Sequence, residues 1–132
     1  MTLAFIADIA KHQLVQAFCY AYRPILCKHR ILATDTTASW IESAANLKTE
    51  HLLSLAVGGA EQVLSAIERN EVDLCVIFYH AIAPGPVFRL IQPILAACDR
   101  YMIPTATNIA TAEVMVLGLD RGDYAFRAAP GS

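Results

Sequence analysis

Charge is scarce in this chain. Only 17% of its 132 residues are Asp, Glu, Lys or Arg, and 12 acids against 10 bases leave a formal charge of −2. Such a balance lacks the basic footprint of a nucleic-acid-binding or anionic-membrane-binding surface, so neither partner is expected. Long apolar runs are missing as well, although 56% of the residues are hydrophobic. No stretch approaches the roughly 20 residues needed to span a bilayer. The opening residues, MTLAFIADIAKH, carry neither a basic n-region nor a cleavage site, so a cytoplasmic protein is expected. Cys19, Cys27, Cys75 and Cys98 contain no CxxC pair and read as four reduced thiols. Cys27 and His29 alone cannot close a zinc site, and no metal is expected.

What is present is alternation. Short apolar runs exchange with stretches whose apolar residues recur at helical spacing. TLAFIA reads as a strand, and residues 9 to 22 as a helix with Leu14, Phe18 and Tyr22 on one face, stopped by Pro24. RILAT is a second strand, followed by a helix over residues 37 to 46. HLLSLAV is a third strand ending at Gly58 and Gly59, and AEQVLSAIERN a third helix. VDLCVIFYH has the unbroken apolar run of a strand buried on both faces. After the Pro/Gly-rich loop AIAPGPVF, a helix is predicted from about Arg89 to Tyr101 with Pro93 in its first turn. A short strand, IPTATN, and a helix, ATAEVMVLGL, follow, and residues 120 to 132 form a polar tail expected to fray at its end.

Five strand–helix units predict an α/β fold: a three-layer αβα sandwich, Rossmann-like, around a mostly parallel five-stranded sheet. The 132 residues are read as one domain, which at this size buries about two-thirds of its unfolded surface. The apolar content points to a homo-oligomer that hides still more. Ligands of such sheets bind beyond the carboxyl ends of the strands.

Several polar residues fall on that rim. Thr34, Thr36 and Thr37 stand where a strand gives way to a helix, and their hydroxyls and the orphaned N–H groups there suit a phosphate. The same residues suit a plain helix cap, and Asp35 would repel an anion unless it points away. Lys11 is either a point charge for that phosphate or a solvated surface lysine. Ser54 with Gly58 and Gly59 offers a hydroxyl and close backbone approach, or simply a tight turn. His80 interrupts the apolar run of its strand and is either an acid, base or donor, or the end of the strand. His12, His29 and His51 read as exposed side chains, and Asn108 as a helix cap.

Together these segments resemble the methylglyoxal synthase family, with its characteristic MGS-like domain. The likeness rests on ATDTTASWI, LLSLAVGGAEQV, VDLCVIFYH and IPTATNIATAEVMV, with Asp8-Ile-Ala-Lys11 after the first strand, and covers about residues 3 to 118. It implies a protein that uses no metal or organic cofactor, forms a homohexamer, and converts dihydroxyacetone phosphate to methylglyoxal and inorganic phosphate. It also implies phosphate contacts from Lys11, Thr34, Thr36, Thr37 and Ser54, and Asp8 near the reacting end. Other family positions depart. The family's base falls at Ala60, its carbonyl-polarising histidine at Val87, further aspartates at His80 and Leu90, a histidine at Ala7 and a glycine at Asp35. The family's C-terminal arginine has no clear counterpart beyond Arg121 or Arg127.

Three functions follow as expectations. The first is a phosphate- or triose-phosphate-binding protein whose usual catalytic residues are largely replaced. The second is an active synthase-type lyase with His80 or Glu61 as substitute base, although Glu61 is turned about 100° from Ala60 on a helix. The third is a non-catalytic interaction protein with a vestigial pocket.

Overall fold

The computed structural model describes residues 1–80 and 85–127. The predicted loop at residues 81 to 84 and the end of the tail, residues 128 to 132, lie outside them.

The five strands are β1 (Thr2–Ala7), β2 (Arg30–Ala33), β3 (Glu50–His51), β4 (Leu74–Phe78) and β5 (Thr105–Ala106). They pair in the order β3-β2-β1-β4-β5, every neighbouring pair parallel. The helices are α1 (His12–Ala21), α2 (Arg23–Leu26), α3 (Asp35–Ala45), α4 (Gly59–Glu68), α5 (Gly85–Arg100) and α6 (Ile109–Arg121). The αβα sandwich is therefore present, and its sheet is parallel throughout.

Alternation along the strands divides the core in two. Leu3, Phe5, Ile31, Leu74, Val76 and Phe78 face one side, where they pack with residues of α1, α3 and α6 such as Val15, Phe18, Ile41 and Val116. Ala4, Ile6, Leu32, Cys75 and Ile77 face the other and meet α4 and α5 through Val63, Ile67, Ile91 and Ile94. Both faces of β4 are buried, as its continuous apolar run requires. Strand order reverses between β1 and β4, which creates a crevice at their carboxyl ends.

Several elements differ from the sequence expectation, among them α2, which takes Pro24 into its first turn where only a stop was expected. Helix α5 begins at Gly85, not near Arg89, so Pro93 lies inside the helix instead of in its first turn. Gly85 and Pro86 read as loop because both are poor in helix interiors, yet a proline is well tolerated in a first turn. The third strand is only Glu50–His51, and Leu55–Val57 of the expected run forms a 3₁₀ turn. As an edge strand it has one partner, β2, and leaves it after two residues. Beyond α6 the tail forms a further 3₁₀ turn, Ala125–Arg127, before the end that was expected to fray, which lies outside the described residues. Arg127 is the reason: its guanidinium donates to the carbonyls of Met102 (2.8 Å) and Val72 (3.3 Å), at the amino-terminal end of the sheet.

Candidate functional site

Helix α3 begins without a hydrogen bond from its N-cap side chain. Its N-cap is Thr34, in extended conformation at φ −60° and ψ 152°, and the Thr34 side chain does not cap the helix. The first intrahelical bond runs from the Ala38 N–H to the Thr34 carbonyl at 2.8 Å. The N–H groups of Asp35, Thr36 and Thr37 therefore precede the helical ladder, at the positive end of the dipole. Cap chemistry was one reading of this threonine loop, and the side chains have gone elsewhere.

Thr37 is tied to the end of β1. Its hydroxyl oxygen accepts from the Ala7 N–H at 3.1 Å and donates to the Ala7 carbonyl at 3.4 Å. Thr34, also buried, donates to Thr37 at 3.4 Å. Thr36 is exposed. A cavity of about 220 Å³ opens here, and Asp8, Thr34, Thr36 and Thr37 line it together with Ile9, Trp40, Leu55 and Val87. Asp8 reaches it from the end of β1, where its N–H bonds the Phe78 carbonyl of β4 and its carboxylate accepts the Ile9 N–H, each at 2.8 Å.

Ser54 lines an adjoining cleft with Asp35, His51, Leu53 and Gln62, while the next residue, Leu55, belongs to the first cavity. The glycines behind Ser54 have a structural cause. Gly58 adopts φ 106°, and a Cβ on Gly59 would lie 2.2 Å from the Leu53 carbonyl oxygen. The close approach they permit is by the protein's own backbone. Lys11, in the turn between β1 and α1, is half-buried and its ammonium makes no ion pair among the described residues. Ala60 is buried in the first turn of α4, and its neighbour Glu61 is exposed. His80 is half-buried just beyond β4. Neither Glu61 nor His80 lines the two cavities.

Asp35 answers the electrostatic question raised by the sequence. Its carboxylate does not cap α3. It meets Nδ1 of His51 at 2.9 Å, and Nε2 of the same ring lies 2.5 Å from Glu42 of α3. Hydrogen bonds that its ring donates to Asp35, then Glu42, raise the His51 pKa above that of an ordinary histidine. His51 had read as merely exposed. Its partners sit nine and sixteen residues away in the chain, so only the packing of α3 beside β3 reveals them.

The arginines considered for the site lie elsewhere in this chain. Arg121 pairs with Asp123 at 2.8 Å, and Arg127 is half-buried at the opposite end of the sheet. Asn108 caps α6, accepting from the Thr111 N–H at 3.0 Å, as expected. A larger cleft of about 530 Å³ is lined by Leu26, His29, Arg30, Lys48 and Glu50 among others. It lies at the amino-terminal end of β2, away from the switch point, so its volume does not make it the better candidate. Among the described residues there is no cluster suited to a metal ion, and no helix is long and apolar enough to cross a membrane.

The arrangement is that of a parallel α/β protein with a small cavity at the carboxyl ends of β1 and β2, where Asp8 and three threonines meet apolar side chains beside the open end of a helix. Curated relatives carry the assignment further. Methylglyoxal synthase from Geobacillus thermodenitrificans is 39% identical over 96% of this chain and 88% of its own length. The synthase from Caldicellulosiruptor saccharolyticus is 38% identical over 96% and 90%, and that from Bacillus anthracis 35% over 96% and 97%. This chain belongs to the methylglyoxal synthase family. The crystal structure of methylglyoxal synthase from Elizabethkingia anophelis NUHP1 shares the fold, with a TM-score of 0.78, 24% identity, and coverage of 87% of this chain and 76% of that one. No protein-family model matches the chain.

Proposed function

We propose that this chain binds phosphate or a phosphorylated triose-type metabolite at the rim, with most of the usual synthase catalysis lost. The observation that carries the reading is the uncapped first turn of α3. Three orphaned N–H groups and the Thr34, Thr36 and Thr37 side chains gather beside a cavity that Asp8 also lines. In this reading the α3 amides and Thr36 donate to the phosphate oxygens. Thr37 and Thr34, already bonded to each other and to Ala7, hold that turn in place. Lys11 supplies positive charge from the neighbouring turn, and Ser54 donates from the adjoining cleft, shaped by Gly58 and Gly59.

Catalysis is the weaker half. Where the family resemblance puts a base and a carbonyl-polarising histidine, this chain has Ala60, buried, and Val87, which lines the cavity. Loss of a positioned base forfeits about 10²- to 10⁴-fold, and loss of an electrophilic donor about 10²- to 10³-fold more. A second reading, active conversion of dihydroxyacetone phosphate to methylglyoxal and phosphate, is favoured by Asp8, a carboxylate on the cavity wall. It would use Asp8, His80 or Glu61 as base. The ligand is a phosphorylated small molecule in both readings, and the assembly a homo-oligomer. Ile9, Val57 and Val114, respectively 79%, 71% and 67% exposed, supply apolar surface for that contact.

Calorimetry with phosphate and dihydroxyacetone phosphate tests binding, with Lys11→Ala and Thr36→Ala as controls. A ligand at 100 times its Kd should add about 2.7 kcal/mol of stability. No heat and no stabilisation with either would overturn the binding reading and leave an interaction protein with a vestigial pocket. A coupled assay for methylglyoxal and phosphate separates the enzyme. Turnover indistinguishable from Lys11→Ala supports the binding protein, and turnover lost in Asp8→Asn, His80→Ala or Glu61→Ala establishes the lyase.

A further inference from the structure

His51 has a geometry that neither the fold nor the cavity requires. Both of its ring nitrogens are engaged by carboxylates, Asp35 at 2.9 Å and Glu42 at 2.5 Å. A neutral imidazole has one N–H and cannot donate to both, whereas the imidazolium can. The charges around it are few. Asp35 and Glu42 come from α3, the helix packed beside β3. On its own strand Glu50 alternates to the other face of the sheet, where it pairs with Arg30 of β2. Gln62 of α4, which shares the cleft with His51, is uncharged.

Asp35 matters because of its neighbours. It lies between Thr34 and Thr36 in the open first turn, and its side chain lines the cleft that holds Ser54. An unneutralised carboxylate there would oppose an anion at either the threonines or the serine. With His51 protonated, the group Asp35, Glu42 and His51 carries a net charge of about −1, and without the proton about −2.

We propose that His51 is a positioning residue for the anion site: its imidazolium holds the Asp35 carboxylate on the β3 side and cancels its charge, so anion affinity falls when His51 loses its proton. This inference rests on the anion-binding reading given above, and it adds a regulation of that site by pH. No contact between His51 and the anion is needed. The device acts through Asp35, whose charge is a few ångströms from the α3 amides, close enough to be felt at an exposed rim. The raised proton affinity of His51 brings its transition toward neutral pH, where a change of proton activity would be read.

Sulfate is the suitable probe, because it remains a dianion from about pH 5.5 to about 8.5, a range that brackets histidine titration. Its Kd is measured by calorimetry across that range for the wild type, Asp35→Asn, His51→Gln and the double variant. The His51 transition is located separately by NMR of the ring. The wild-type Kd should rise about tenfold as pH climbs through that transition. His51→Gln should bind weakly at every pH. Asp35→Asn and the double variant should bind tightly at every pH, since no carboxylate is left to neutralise. A wild-type Kd that is flat through the His51 transition overturns the inference and leaves the anion site standing. A pH dependence that persists in Asp35→Asn overturns it too, and assigns the effect to another histidine. Absence of sulfate binding by the wild type and Asp35→Asn at every pH overturns the anion reading itself.

Discussion

The hydroxyl of Thr37 accepts a hydrogen bond from the Ala7 N–H at 3.1 Å and so joins the first turn of α3 to the end of β1. Thr37 is 1% exposed, and thirty residues separate the two partners. Thr36, its neighbour, is exposed and makes no such contact among the described residues. Adjacent threonines thus have separate tasks. Thr37→Ala leaves the Ala7 N–H without its partner and should cost about 1–3 kcal/mol in chemical denaturation. Thr36→Ala should leave stability within about 0.5 kcal/mol, as surface changes do, while weakening phosphate binding in calorimetry.

Gly59 allows no side chain. A Cβ there would stand 2.2 Å from the Leu53 carbonyl oxygen and 2.7 Å from that of Ser54, both backbone atoms that cannot swing aside. Gly59→Ala should destabilise by at least about 2–3 kcal/mol, toward the upper end for overpacking. Its melting temperature should fall more than that of a Gly58→Ala control, whose Cβ would meet the flexible Leu53 side chain first, at 2.8 Å.

Arg127 closes the far end of the sheet. Its side chain is 8% exposed, donates to two carbonyls and lies 3.8 Å from Asp73. Arg127→Ala strips donors from these carbonyls and leaves Asp73 without its nearest cation. About 1–3 kcal/mol of stability should be lost, the cost of leaving shielded carbonyls without donors. Phosphate affinity of the variant, measured at a temperature where it is folded, should match the wild type, because the guanidinium is at the opposite end of the strands.

The clasp on His51 has a stability signature of its own. Hydrogen bonds donated to Asp35 and then Glu42 raise its pKa in the folded protein. A raised folded pKa stabilises fully below the unfolded value, about 6.5, and the contribution disappears as pH rises through the higher folded value. The difference in stability between wild type and His51→Gln, followed by urea unfolding, should therefore be largest in mild acid and shrink above neutrality.

Thiol chemistry provides a check on packing. Cys27 is exposed, whereas Cys19, Cys75 and Cys98 are buried. Burial pushes the Cys19 thiol up to about 12. The neighbouring Cys75 thiol lowers the proton affinity of Cys98, yet Cys98 is only 2% exposed, so access limits its reaction. A thiol reagent should label Cys27 rapidly in the native protein and all four cysteines only after denaturation.

Some of this protein was decided locally and was therefore legible in the residues. The apolar run at Leu74–Phe78 is buried on both faces because a parallel strand between helical layers has no wet side. Asn108 caps α6 because its side chain reaches the Thr111 N–H three residues on. The spacing of the threonine loop, Ser54 and the Gly–Gly turn led to the family, since each is a short-range motif. Other features were settled only when distant segments met. Asp35 is turned to β3 by a histidine sixteen residues away, Thr37 is taken by Ala7, and Arg127 is drawn to carbonyls across the sheet. A sequence pattern reports propensities within a turn or two. The partner a polar group takes depends on which elements lie side by side, and that choice belongs to the tertiary structure.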